Sequence, residues 1–204
     1  MTITAFSNSC ILYVFVVNRH LIVLFMAGIV TLQRLIVTGP NGAGKSYLAA
    51  KLAAIRPDVP IISFDNIKLI KNWEQRPKSQ IEVKLLQALQ SDAWILEGGP
   101  SLLPYAIPYA DSLIWLDPPR WVRAWRLAIR PLLNFGRVRP ELPAGNIDWP
   151  WEQYRFAIRS LRNQTKFQEN ISSQLAVADN MHVWRVRKSG EISSVINAWR
   201  MAAA

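Results

Sequence analysis

Gly39-Pro40-Asn41-Gly42-Ala43-Gly44-Lys45-Ser46 is the stretch that decides how the chain is read. It meets the pattern G-x-x-x-x-G-K-[ST] at every fixed position, the signature of a loop that cradles phosphates. Its surroundings agree. Leu35-Ile36-Val37 before it is an apolar run that reads as a buried strand. Tyr47 to Ile55 after it is rich in good helix formers and stops before Pro57. Gly39, Gly42 and Gly44 admit backbone conformations closed to other residues and let phosphate oxygens approach the main chain. The loop and the first helical turn aim N–H groups at one place, where the helix dipole favours an anion. Lys45 would reach the β- and γ-phosphates and the Ser46 hydroxyl would ligate Mg²⁺. The expected nucleotide site is therefore Gly39 to Ser46 together with Tyr47.

Composition bounds what surrounds this loop. The chain has 204 residues, half of them hydrophobic, which suits one α/β domain with a sheet buried on both faces. A single cysteine, Cys10, excludes an internal disulfide and a cysteine metal site, and fits a reducing, cytoplasmic setting. His20 and His182 are the only histidines, too few for a histidine metal cluster. The net charge of +10 calls for an anionic partner such as a nucleotide, a nucleic acid or an acidic surface. No helix-turn-helix or zinc-finger signature accompanies that charge.

Residues 1 to 31 read as an extension ahead of the domain, which runs from 32 to 204. Ile11 to Val17 and Leu21 to Val30 are apolar, split by Asn18-Arg19-His20. No basic segment precedes Ile11, as a signal peptide would need. The expectation is that Met26 is the natural start and that residues 1 to 25 are upstream sequence. A weak membrane anchor is the alternative, though Arg19 and His20 sit near the middle of the stretch, where charge is costly.

Further strands and helices alternate. Leu32 to Val37 is the first strand and Val59 to Phe64 the second, ending on Asp65. Ser79-Gln80-Ile81-Glu82 reads as a capping box opening a helix. Trp94-Ile95-Leu96 is the third strand, ending on Glu97 and Gly98-Gly99, where glycines allow close approach to a ligand. Ser112 to Leu116 is the fourth, ending on Asp117. Ligands of open α/β sheets gather at the carboxyl ends of strands, so Asp65, Glu97 and Asp117 are all candidates. Asp65 would meet Mg²⁺ or an acceptor hydroxyl, or else serve as a turn or cap aspartate. Glu97 and Asp117 compete for the Mg²⁺-associated role, with Glu97 preferred.

Arg120 to Phe135 reads as a helix with Arg123, Arg126 and Arg130 along one face. That row is either a solvated face or a set of guanidiniums aimed at a transferring phosphoryl group. Asn134 to Pro150 holds five glycines and prolines together with Arg137 and Arg139, and about 131 to 150 reads as a lid. Trp151 to about Gln174 returns as one helix, Val183 to Val186 is the fifth strand, and Glu191 to Met201 the last helix. The nine tryptophans read mostly as core, with Trp149 and Trp151 flanking the lid hinge, where a base or acceptor would stack.

From about Arg34 to Ala202 the chain resembles the adenylate-kinase-like P-loop kinases, and more closely the bacterial FlaR-type DNA topology modulation proteins. The resemblance rests on Trp94-Ile95-Leu96-Glu97-Gly98-Gly99 and on Leu116-Asp117-Pro118-Pro119 followed by Arg126 and Arg130. The R-x-x-x-R spacing of those two arginines is the family's phosphate clamp, and Arg155 and Arg159 lie where the lid's return helix brings further arginines. Asp65 matches an acidic residue of the topology-modulation-like group, whereas Glu97 stands where the family usually has Asp. The resemblance implies a five-stranded parallel sheet of order 2-3-1-4-5, with ATP and Mg²⁺ as phosphoryl donor. The short segment 66 to 79, with Lys68, Lys71 and Arg76, does not match a nucleoside-monophosphate site, so the acceptor stays open.

The reading that follows is a kinase acting on a small-molecule acceptor, with Lys45, Arg126, Arg130 and Asp65 as catalytic residues and Ser46 and Glu97 at the metal. Two alternatives stand beside it. One is a nucleic-acid-associated ATPase and the other a non-catalytic nucleotide-binding module. The sequence requires no membrane association and defines no oligomeric state.

Overall fold

The computed structural model describes residues 6–7, 10–17, 20–27, 32–133, 142–146, 149–176, 178 and 181–202. The chain divides into two compact units, residues 1–31 and 32–204. In the first, β1 (Phe6–Ser7), β2 (Cys10–Val17) and β3 (His20–Ala27) form an antiparallel sheet, with Val17 opposite His20 across the β2–β3 hairpin. Among the described residues no helix is long and apolar enough to cross a membrane.

The second unit carries five parallel strands: β4 (Arg34–Thr38), β5 (Ile61–Ser63), β6 (Trp94–Gly98), β7 (Ser112–Leu116) and β8 (His182–Val186). Their order in the sheet is β5-β6-β4-β7-β8, which is 2-3-1-4-5 counted from β4. Strand side chains alternate between faces, and both faces are covered. Leu35 and Val37 join Leu48, Ala49 and Leu52 of α1 (Lys45–Ile55) and Val195 and Trp199 of α8 (Ile192–Met201) in one core. Ile36, Leu96 and Trp115 point the other way. They pack with Phe64 of α2 (Phe64–Lys68), Leu85 and Leu89 around α3 (Lys78–Ala88), Leu103 of α4 (Leu103–Ala106) and Ile171 of α7 (Gln164–Leu175). Two-sided burial explains why these strands read as apolar runs without alternation. Helices α5 (Arg120–Leu133) and α6 (Pro150–Arg162) complete the unit and pack against each other.

Several local expectations are corrected. The second strand is shorter than 59 to 64, because Phe64 opens α2 and the Ser63 hydroxyl caps it, accepting from the Asn66 N–H at 3.4 Å. Asp65 therefore sits in the first turn of α2, not at a strand end. No capping box forms at Ser79: α3 begins at Lys78 behind Pro77, and Glu82 instead accepts from the Tyr105 hydroxyl at 2.6 Å. That bond to a carboxylate raises the Tyr105 pKa. The helix expected from Trp151 to Gln174 is two, broken at Asn163, a weak helix former. Of the tryptophans, Trp94, Trp115 and Trp199 are core, while Trp121, Trp125, Trp149 and Trp151 are exposed. Trp121 and Trp125 are turned outward because Arg123, Leu127 and Pro131 occupy the buried face of α5. Half of the lid expected at 131 to 150, namely 134–141 and 147–148 with Arg137 and Arg139, lies outside the described residues.

Candidate active site

The phosphate-type loop leaves β4 and enters α1. Gly39 has φ 149°, and a Cβ there would lie 2.4 Å from the Leu116 carbonyl oxygen, so the loop passes too close to β7 for any side chain. Gly42 has φ 78°, and a Cβ there would press on Leu127 of α5 at 2.8 Å. Gly39 and Gly42 are thus required by packing as well as by conformation, and Gly44, at φ 100°, by conformation.

Lys45, the first residue of α1, lies within 3.4 Å of the Pro40 carbonyl oxygen. Desolvation lowers its pKa from the ordinary 10.5, opposed by the nearby carboxylates of Glu97 and Asp65. Ser46 donates to Glu97 Oε2 at 3.3 Å, and Ser63 donates to Glu97 Oε1 at 3.2 Å. The Glu97 carboxylate is buried at the end of β6, beside the loop strand, where Val37 and Glu97 are register partners. Hard oxygen donors from a hydroxyl and a carboxylate, side by side at the mouth of a phosphate-type loop, fit Mg²⁺.

Asp117, the rival carboxylate, is engaged elsewhere. Its Oδ2 accepts from Arg185 Nη2 at 2.6 Å and Nε at 3.0 Å, and its Oδ1 accepts from Gln168 at 2.8 Å. Arg185 in turn lies over the Trp115 ring at 4.0 Å. The pair fastens β7 to β8.

The three arginines of α5 take three different places. Arg123 is fully buried. It donates to the Asn41 carbonyl at 3.0 Å, to Gln164 at 3.1 Å, and to the Ser160 hydroxyl at 2.8 Å, tying the loop to both sides of the break at Asn163. Desolvation brings its pKa down from 12.5 to about 10, the Asp117 charge opposing. Arg126 donates to the Ala43 carbonyl at 2.9 Å and the Gly42 carbonyl at 3.4 Å. Arg130 donates to Gln153 of α6 at 2.8 Å. The i, i+3, i+7 spacing pointed to a shared role, but only Arg126 and Arg130 line the cleft. Arg123 supports the loop from behind, which spacing alone did not separate.

These groups border one cleft of about 900 Å³. Lys45, Ser46, Tyr47 and Glu97 border it with Arg126 and Arg130, and Asp65, Lys68, Trp73, Gln75 and Ser101 line it too. Of the two glycines that end and follow β6, Gly98 and Gly99, only Gly99 faces open space. A Cβ at Gly98 would meet Phe64 and Leu102 at 2.6 Å, so Gly98 answers a packing need.

The chain has a three-layer P-loop fold, a five-stranded parallel sheet of order 2-3-1-4-5 with helices on both faces. Shikimate kinase from Acinetobacter baumannii, in complex with shikimate, superposes with a TM-score of 0.51 at 14% identity, over 85% of this chain and 94% of that one. A gluconokinase from Sinorhizobium meliloti 1021 gives 0.49 at 15% identity, over 84% of this chain and 91% of that one. Shikimate kinase from Bacteroides thetaiotaomicron gives 0.45 at 17% identity, over 84% and 98%. No protein-family model matches the sequence, and no curated protein matches it.

Proposed function

We propose that the chain transfers the γ-phosphoryl group of Mg·ATP to a small-molecule acceptor. One observation carries the reading. A single cleft joins the half-buried Lys45 and the Ser46–Glu97 pair to an independent set of polar and aromatic groups at Asp65, Lys68, Trp73 and Gln75. A module that only held a nucleotide would need the first set alone.

In this reading residues Gly39 to Tyr47 bind the nucleotide, with Lys45 on its β- and γ-phosphates. Ser46 and Glu97 hold Mg²⁺, which supplies charge neutralisation at the phosphates when bound. Arg126 and Arg130 stabilise charge on the transferring group. The acceptor oxygen forms the new P–O bond as the bond to the β-phosphate oxygen breaks, and its proton passes to Asp65. Such transfers depend on positioning and electrostatics more than on a strong base. The name of one structural neighbour, the shikimate kinase in complex with shikimate, favours a small hydroxylated acceptor.

ADP release by the full chain with Mg·ATP is the test, across shikimate, D-gluconate, nucleoside monophosphates, and single- and double-stranded DNA, with Lys45→Ala as control. Stimulation by a small molecule, lost in the control, is expected. Stimulation by DNA alone, with a steep salt dependence, would favour the nucleic-acid ATPase that the FlaR-type resemblance and the charge suggest. ATP binding without turnover under any condition would leave a binding module.

A further inference from the structure

The loop between α2 and α3 holds the least ordinary backbone among the described residues. Asn72 and Trp73 lie consecutively in the left-handed region, at φ 58° and 61°. Asparagine tolerates that region, whereas a bulky side chain rarely enters it, and it persists there only where its surroundings hold it. The loop closes as a small hairpin, with Leu69 bridged to Gln75 and the Ile70 N–H donating to the Glu74 carbonyl at 2.9 Å.

What holds the strained residues lies more than seventy positions away. Asn146 is fully buried. Its Oδ1 accepts from the Trp73 N–H at 2.6 Å, and its Nδ2 donates to the Ile70 carbonyl at 2.7 Å and to the Pro143 carbonyl at 2.9 Å. The Asn72 N–H adds a bond to the Gly145 carbonyl at 3.4 Å. Gly145, at φ 87°, lets the turn lie close, since a Cβ there would sit 3.2 Å from Lys71 Cβ. One amide side chain thus spends its acceptor and both donors on the backbone of two segments. Trp73, whose backbone it holds, lines the cleft with Asp65 and Lys68.

We propose that Trp73 is a wall of the acceptor end of the cleft and that Asn146 is the positioning residue that keeps it there. The proposal rests on the phosphotransferase reading and extends it to residues that neither the loop motif nor the arginines involve. The strained turn places a rigid ring where the acceptor must sit, and the ring excludes water from the transfer site.

The test uses the full chain. In Asn146→Ala, amide exchange across residues 69–76 accelerates at least about tenfold, while exchange across 39–46 and the Kd for Mg·ADP stay within about twofold. Hydrolysis of Mg·ATP by water, which needs no identified acceptor, rises at least about threefold in kcat, with KM for Mg·ATP unchanged. Asn146→Asp behaves in the same way, because a buried carboxylate would face two carbonyl oxygens. Trp73→Gly keeps the turn and its hydrogen bonds but removes the ring, so hydrolysis rises without faster exchange at 69–76. Unchanged exchange in Asn146→Ala, or hydrolysis at the wild-type rate in Trp73→Gly, overturns the proposal. A wild-type chain that binds no Mg·ADP overturns the phosphotransferase reading instead, while the exchange measurement still decides whether Asn146 holds the turn.

Discussion

Ser46 and Glu97 are hydrogen-bonded at 3.3 Å although fifty-one residues separate them. The contact joins the first turn of α1 to the carboxyl end of β6, and it forms because β6 is the direct neighbour of β4 in the sheet. A second hydroxyl, Ser63 at the end of β5, reaches the other Glu97 oxygen. Hydroxyls from α1 and β5 therefore converge on one carboxylate of β6.

If this pair holds Mg²⁺, Glu97→Gln weakens Mg·ADP binding by about 10- to 100-fold, the worth of a charge-assisted contact. Binding of ADP without Mg²⁺ changes little. Asp117→Asn lowers the melting temperature by breaking the link to Arg185 and leaves Mg·ADP affinity as it was. Titration calorimetry with and without Mg²⁺ checks both, and the opposite pattern would return the metal role to Asp117.

Arg126 bonds the loop carbonyls of Gly42 and Ala43 and lines the cleft. Arg126→Ala is expected to lower turnover by about 10³-fold or more, the scale of an arginine acting on a transferring phosphoryl group. The Kd for Mg·ATP should change by less than about tenfold. Equal losses in both would assign Arg126 to loop support alone.

Arg123 has the opposite profile. Arg123→Met keeps an apolar stem but leaves the Asn41 carbonyl, Ser160 and Gln164 without their donor. Stability should fall by about 2–3 kcal/mol, or about 4–12 °C in melting temperature. Thermal unfolding measures this directly, and a melting temperature unchanged from wild type would show that the buried guanidinium contributes nothing net.

Glu191 supplies a pH dependence away from the cleft. Its carboxylate accepts from the Arg187 N–H at 2.7 Å and the Lys188 N–H at 3.4 Å. These two backbone bonds, helped by the charges of Lys188 and Arg187, lower its pKa from the ordinary 4.5. The folded chain thus binds the proton less readily than the unfolded one. The resulting stability is present above about pH 4.5 and is lost as pH falls through the folded value. Melting curves taken at descending pH should show a shallower acid decline in Glu191→Gln than in wild type.

How much of this was legible in the sequence depends on the range of the forces involved. The loop, α1 and the apolar strands were legible because glycine conformations, helix propensity and apolar runs act over a few residues. The boundary at Phe64 was not, since a serine cap competes with strand pairing there and the sheet's edge decides between them. The break at Asn163 was not, since apolar spacing continues through it while Arg123 engages both sides. Asn146 carried no signal at all. An asparagine in an irregular stretch looks like any turn residue until the partners of its amide are known.

The sequence by itself determined that strands and helices alternate, that a phosphate-type loop follows the first strand of the domain, and that Glu97 and Asp117 stand at the ends of two apolar strands. Those are local matters of residue type and spacing. Only the tertiary structure decided which carboxylate stands by Ser46. Glu97 and Asp117 are alike in sequence, each closing an apolar strand. The order of the sheet places β6 beside β4 and β5, where two hydroxyls meet Glu97, and places β8 beside β7, where Arg185 takes Asp117. A carboxylate's partner is set by the neighbouring strand, and strand order is a property of the whole packed sheet.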